Sequence, residues 1–263
     1  MAQKATKPVR VPDFIEKKRR GEKIAILTAY DATMARLIDC GGVDAILVGD
    51  SLGMVVMGHE NTLQVTLDMV VHHTRSVRNG TTRAMVIADM PFLTFQTGVN
   101  DAVRNAGRLV QEGGATAVKL EGGRASAEVT ARLVEIGIPV MGHLGLVPQS
   151  VHTMGGYRKL DAARAKGLLE EARILEQAGS FAIVLESIPS DIARTITEAL
   201  AIPTIGIGAG PHCDGQVLVS YDALGLFQEF VPSFVKQYAD LGNEVIRAAR
   251  EYVDDVRGGK FPK

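Results

Sequence analysis

Seven short apolar runs, each followed by a turn and then a longer amphipathic stretch, set the rhythm of the chain. The runs are residues 24–28, 45–49, 84–88, 117–120, 138–141, 181–185 and 202–207, with 224–227 as a weak eighth. Their length and β-branched content predict strands buried on both faces. Between them, residues 101–112 place Val103, Ala106, Leu109 and Val110 on one helical stripe, and 164–178 do the same with Leu168, Leu169, Ala172 and Leu175. Residues 235–256 read as a long closing helix. Repeated strand–helix alternation predicts an α/β fold with a parallel sheet covered by helices, and about eight such units close a (β/α)8 TIM barrel. An open doubly wound sheet is the competitor. It ordinarily carries a nucleotide fingerprint, and no GxGxxG opens a helix after the first run here. With no linker or low-complexity stretch, residues 1–263 are expected to form a single domain, with residues 1–10 as a loose arm.

Composition narrows the function classes. A chain of 263 residues suits one barrel, for which about 250 is typical. The net charge of −1 provides no basic field for nucleic acid or an anionic membrane surface. The one basic run, Lys17-Lys18-Arg19-Arg20, reads as a solvated helix end beside Gly21. Cys40 and Cys213 belong to no CxxC pair, so neither a disulfide framework nor a zinc site is expected, and reduced thiols are. Residues 1–10 lack the apolar run of a secretion signal and no uncharged apolar stretch reaches the ~18 residues of a membrane span. The expectation is a soluble intracellular protein, with its thiols reduced as in the cytoplasm.

The candidate chemistry lies where the runs end. Asp50, Asp89, Glu121 and Glu186 each follow an apolar run immediately, and His143 follows another. In a barrel these positions share the C-terminal mouth, where such folds place their active sites. A single acid there is often just a helix N-cap, which is how Asp31 is read. Four carboxylates at one partly desolvated mouth repel one another, and a hard divalent cation such as Mg2+ offsets that repulsion most directly. Strand alternation makes Lys119 and Glu121 project together, suiting an acidic substrate or a developing enolate; a structural ion pair is the competing reading. The glycine-rich stretch 205–210 reads either as a phosphate grip or as close strand–loop packing. His72 and His73 read as a helix face, and His59 and His152 as loop residues.

The stretches LTAYD, VGDSLGMVVMGHENTLQVTLDMVVHHT, VIADMPF, AVKLEGG, VMGHLGLVPQSV, VLESIP and IPTIGIGAGPHCDGQVLV closely resemble the ketopantoate hydroxymethyltransferases, over residues 27–219. The resemblance implies a barrel of the phosphoenolpyruvate-mutase and isocitrate-lyase type. It implies a cytoplasmic enzyme of pantothenate synthesis, assembled as a homodecamer, that transfers a one-carbon unit from 5,10-methylenetetrahydrofolate to 2-oxoisovalerate. It further implies Mg2+ at Asp50, Asp89 and Glu121, the keto acid at Asp50, Ser51, Asp89 and Lys119, Glu186 as catalytic base, and His143 and Ser187 lining the site. Two departures stand out. The family's GGYKVQGR is here Gly155-Gly156-Tyr157-Arg158-Lys159-Leu160, without the Gln-Gly-Arg element, and MPFLTFQ replaces MPFGSYQ, putting Leu93 and Thr94 where Gly and Ser are commoner. A lyase of the same superfamily would carry a KKCGH-type cysteine loop, which is absent. A folate-independent aldolase using the same enolate and a non-catalytic scaffold are the remaining alternatives.

Overall fold

The computed structural model describes residues 7–155, 160 and 164–262. Eight parallel strands close a barrel in chain order: β1 (Ile24–Thr28), β2 (Ala45–Val48), β3 (Met85–Asp89), β4 (Ala117–Glu121), β5 (Val140–Gly145), β6 (Ala182–Glu186), β7 (Thr204–Ile207) and β8 (Gly215–Leu218). The described helices are α1 (Val11–Arg20), α2 (Ala32–Cys40), α3 (Leu52–Val55), α4 (Leu67–Gly80), α5 (Val99–Gln111), α6 (Ala127–Glu135), α7 (Val151–Met154), α8 (Leu168–Gln177), α9 (Ser190–Ala199), α10 (Ser220–Ala223) and α11 (Leu241–Arg257). None is long and apolar enough to cross a membrane. The chain divides into two compact units, Met1–Val217 and Leu218–Lys263.

Seven strands fall where the apolar runs predict. The eighth does not: residues 224–227 form a turn, in which Gly225 (φ 65°) and the bond from Leu226 N–H to the Tyr221 carbonyl (2.8 Å) follow α10. The eighth strand is instead the four-residue Gly215–Leu218. Gly215 disguises it, yet glycine is required, because a Cβ there would stand 2.5 Å from the Ile24 carbonyl oxygen. Ile24 N–H, in turn, reaches the Asp214 carbonyl at 3.0 Å beside this strand. The closing helix starts later than its pattern suggests, at Leu241, and the buried face of α5 is Ala102, Ala106 and Leu109.

Two packed layers make the core. Inside the barrel, Ile24, Ile26, Leu47, Met85, Ile87, Met141, Val184 and Ile205 pack together, and Phe14 of α1 joins them edge-on to Phe181 at 5.6 Å. Outside it, Leu144, Ile183 and Leu185 meet Leu168, Ala172 and Leu175 of α8 and Ile196 of α9. Helix α1 therefore plugs the N-terminal end. The basic run at its C-terminus is less solvated than its composition suggests: Lys17 pairs with Asp44 at 3.0 Å and Lys18 with Asp214 at 2.8 Å, leaving only Arg19 and Arg20 exposed. Asp31 caps α2 as expected, accepting from the N–H groups of Thr33 and Met34. Val9 N–H donates to the Arg83 carbonyl, so the N-terminal segment is tied down from there; residues 1–6 lie outside the described residues. Both cysteines are free.

Candidate active site

Alternation along the strands builds the site. The inward residues run Met85, Ile87 and Asp89 on β3, Ala117, Lys119 and Glu121 on β4, Met141 and His143 on β5, and Ala182, Val184 and Glu186 on β6. Each strand begins apolar at the plugged end and finishes with ionisable groups at the C-terminal mouth. Register sets Asp89 beside Lys119 and Glu121 beside His143. Asp50 enters from the turn after β2, where Gly49 leaves room: a Cβ on it would lie 2.8 Å from Ser51 Oγ and 3.3 Å from Asp89 Oδ2.

The sequence-predicted acids form one connected cluster. Asp50 N–H donates to Asp89 Oδ2 at 3.0 Å. Lys119 Nζ lies 2.8 Å from Asp89 Oδ1 and 3.3 Å from His143 Nδ1. His143 Nδ1 stands 3.6 Å from Glu121 Oε1, and its Nε2 stands 3.1 Å from Glu186 Oε2 without hydrogen-bond alignment. Asp50, Asp89, Lys119, Glu121 and His143 are buried, whereas the Glu186 side chain keeps 17% of its exposure. Ser51 Oγ shares a hydrogen bond with Tyr30 OH at 2.9 Å. Ser187 stands at φ 52°, with its N–H donating to the Ile207 carbonyl at 2.8 Å.

A search for charge passes over two residues. Gln149 is a hub: its N–H donates to Glu121 Oε2, and its Nε2 donates to Asp50 Oδ2 and to the Met90 carbonyl, each at 3.0 Å. It lies in the PQS block, but a neutral amide leaves no mark in a count of acids. Tyr30, in LTAYD, is buried and orients Ser51. Other candidates fall away from the cluster. His73 Nδ1 bonds the Tyr30 carbonyl at 2.6 Å, and His72 is exposed. The glycines of 205–210 fit close packing, since a Cβ on Gly210 would lie 2.2 Å from Ser190 Oγ. Of the departing loop, residues 156–159 lie outside the described residues.

Burial raises the Asp50 carboxyl well above its usual range, and the charges of Asp89 and Glu121 add to this. Burial also raises Asp89, although Lys119 pulls back against it. For Glu121, burial is outweighed by His143, Lys119 and the Gln149 N–H, and its carboxyl lies below the usual range. Burial penalises the Lys119 ammonium, but Asp89, Glu121 and Asp50 together hold it protonated more firmly than a free lysine. For His143, burial and Lys119 oppose the proton while Glu121 and Glu186 favour it more strongly, and the imidazole is pushed up to about 9.

The cluster suits a hard cation. Among the described residues, Glu121 Oε1 and His143 Nε2, both buried at this mouth, have no aligned hydrogen-bond partner, while Asp89 Oδ1 is met by the Lys119 ammonium at 2.8 Å. No three His, Cys, Asp or Glu side chains among the described residues converge closely enough to hold an ion by themselves. An ion here would take one or two carboxylates directly, with water and substrate oxygens completing its shell, which is the habit of Mg2+.

Comparison with known proteins agrees in family and in fold. The family model described as ketopantoate hydroxymethyltransferase matches residues 8–263. A 3-methyl-2-oxobutanoate hydroxymethyltransferase of Trichlorobacter lovleyi is 53% identical over 257 residues, covering 97% of both chains. That of Syntrophus aciditrophicus is 56% identical over 248 residues, covering 93% of this chain and 91% of its own. Among solved structures, phosphonopyruvate hydrolase in complex with oxalate and Mg2+ superposes with a TM-score of 0.64 at 12% identity, covering 95% of this chain and 88% of that one. A 2,3-dimethylmalate lyase, a member of the PEP mutase/isocitrate lyase superfamily, gives 0.60 at 17% identity, covering 96% and 88%. These two structures share the fold of this barrel.

Proposed function

Because the chain belongs to the ketopantoate hydroxymethyltransferase family, we propose that its mouth transfers a hydroxymethyl group from 5,10-methylenetetrahydrofolate to 2-oxoisovalerate (3-methyl-2-oxobutanoate), giving ketopantoate for pantothenate synthesis. The observation that carries this reading is the convergence of Asp50, Asp89, Lys119, Glu121, His143 and Glu186 within one hydrogen-bonded and ion-paired cluster. The cytoplasmic setting and the homodecamer belong to the same proposal, and molar mass in solution tests the latter.

Asp50, Asp89 and Glu121 are the residues to hold Mg2+, in part through water. Mg2+ held there would supply Lewis-acid stabilisation of negative charge on the oxygens of the keto acid. Lys119 places a fixed positive charge against the same oxygens, where the enolate's charge develops. Asp50, Ser51 and Asp89 position the keto acid, Tyr30 orients Ser51, and His143 and Ser187 line the site. Glu186, at the half-open rim, removes the proton from C3, and the electron pair of that C–H bond moves toward the keto oxygen. His143, 3.1 Å from Glu186 Oε2, keeps the base aimed at the cluster rather than at solvent. The methylene carbon of the donor then gains two bonds, one to the enolate carbon and one to the oxygen of water, as both of its C–N bonds break; the proton taken from C3 and one from water restore the two N–H groups of the departing tetrahydrofolate.

Exchange of the C3 proton of 2-oxoisovalerate into D2O, followed by NMR, isolates the base. Glu186→Gln is expected to slow it by about 10²–10⁴-fold, while the keto acid with Mg2+ still raises the melting temperature. Unaltered exchange in this variant removes Glu186 from the role.

A further inference from the structure

A cavity of about 440 Å³ opens beside the acid cluster, between the loops that follow β3, β4 and β5. Two of its lining residues, Glu121 and Gln149, also belong to the cluster, so the cavity adjoins the space before the acids. The rest of the lining differs in character. Phe92, Phe95 and Val147 give an aromatic and aliphatic wall, and Glu128, exposed on the first turn of α6, stands at the rim. The volume lies in the range of pockets that enclose drug-sized ligands, and a five-carbon keto acid leaves most of it unfilled.

We propose that this cavity is the donor subsite and receives the reduced pterin ring of the folate, a proposal that rests on the donor reading above. A flat bicyclic ring matches a wall built from Phe92 and Phe95, whose faces favour stacking over hydrogen bonding. The ring's pyrimidinone edge carries an N–H and an amino group side by side, and a carboxylate offers two oxygens at the matching spacing, which assigns that edge to Glu128. Glu186 does not line the cavity. The base and the one-carbon donor therefore approach the keto acid from different sides, and neither displaces the other.

Two variants and two half-reactions test this. Ala125, exposed on the lining, is replaced by Trp to fill the space, and Glu128 by Gln to remove the charge. C3 exchange into D2O needs only the keto acid, and ketopantoate formation needs the donor as well. Ala125→Trp is expected to lower kcat/KM for methylenetetrahydrofolate by more than 50-fold, and Glu128→Gln to raise KM for it about 10-fold. Exchange should stay within about twofold of the parent in both. Unchanged donor kinetics in Glu128→Gln and in a folded Ala125→Trp overturn the assignment. Exchange falling in step with donor kinetics also overturns it, giving the cavity to the keto acid. If Ala125→Trp does not fold, Glu128→Gln decides alone. Absence of exchange in the parent protein would instead remove the reading on which the proposal rests.

Discussion

At the N-terminal end of the barrel, Asp39 accepts hydrogen bonds from the N–H groups of Thr82, Arg83 and Ala84 and from the Thr82 hydroxyl, and Asp44 and Asp214 pair with Lys17 and Lys18. At the C-terminal end, Asp50, Asp89 and Glu121 crowd around one lysine and one histidine, and Glu121 keeps an oxygen without an aligned hydrogen bond. Burial opposes ionisation at both ends. At Asp39 the donors of Thr82, Ala84 and Arg83 overcome it, and the carboxyl lies below its ordinary value; at Asp50 the neighbouring acids reinforce it, and the carboxyl lies well above. The plugged end uses its acids to fix strand ends and α1, whereas the open end holds charge that its own protein donors do not balance. Unbalanced buried charge costs stability and marks a place where something else is to bind.

Asp50→Asn puts this contrast under the greatest load. It should reduce ketopantoate formation by at least ~100-fold. In Mg2+-free protein it should also raise the melting temperature, by about 2–4 °C for a gain of ~1 kcal/mol, because one of three crowded charges is gone. A fall in melting temperature together with activity would break the comparison. Phe14→Ala, at the other end, removes the side chain packed edge-on to Phe181 and should cost about 3–5 kcal/mol in denaturant titrations, with kcat of the surviving fold intact.

Asp39→Asn should cost about 2 kcal/mol at neutral pH and likewise leave kcat unchanged. Its pH dependence carries a sign. The folded carboxyl lies below the ordinary value of 3.8, so its stabilisation is present above that pH and is lost as pH falls through the folded value. The stability gap between parent and variant should therefore be full at pH 7 and close below about pH 4; a gap that widens in acid contradicts the assignment. The smallest effect is expected at Leu93, which holds φ 63° with more than half of its side chain exposed. Left-handed leucine costs about 1–2 kcal/mol, and glycine returns part of that through the unfolded chain, so Leu93→Gly should stabilise by about 0.5 kcal/mol.

Much of this was legible in the chain because two periodicities coincide. Period-two alternation puts Lys119 and Glu121 on one face, and the end of each apolar run locates Asp89, Glu121 and Glu186, since a strand buried on both faces has few other places for a charge. What stayed hidden lacks either signal. Gln149 carries no charge and sits in a loop, so only its bonds to Asp50 and Glu121 disclose it. β8 is short and begins at a glycine chosen for clearance from Ile24, so its apolar content falls below that of the decoy at 224–227. The pairing of Lys17 and Lys18 with distant aspartates depends on how α1 folds under the barrel, and local charge density cannot report it.

The torsion at Ser187 has a mechanical meaning. This residue adopts a backbone angle that side chains rarely tolerate, directly after Glu186, and both of its peptide groups are clamped: its N–H to the Ile207 carbonyl and its carbonyl to the Leu160 N–H. The reach of Glu186 is thus dictated by main-chain leverage from β7 on one side and from the segment at Leu160 on the other. Redirecting this carboxylate toward a bulkier acceptor would mean re-cutting the hinge beneath it, since exchanging neighbouring side chains leaves the lever where it is.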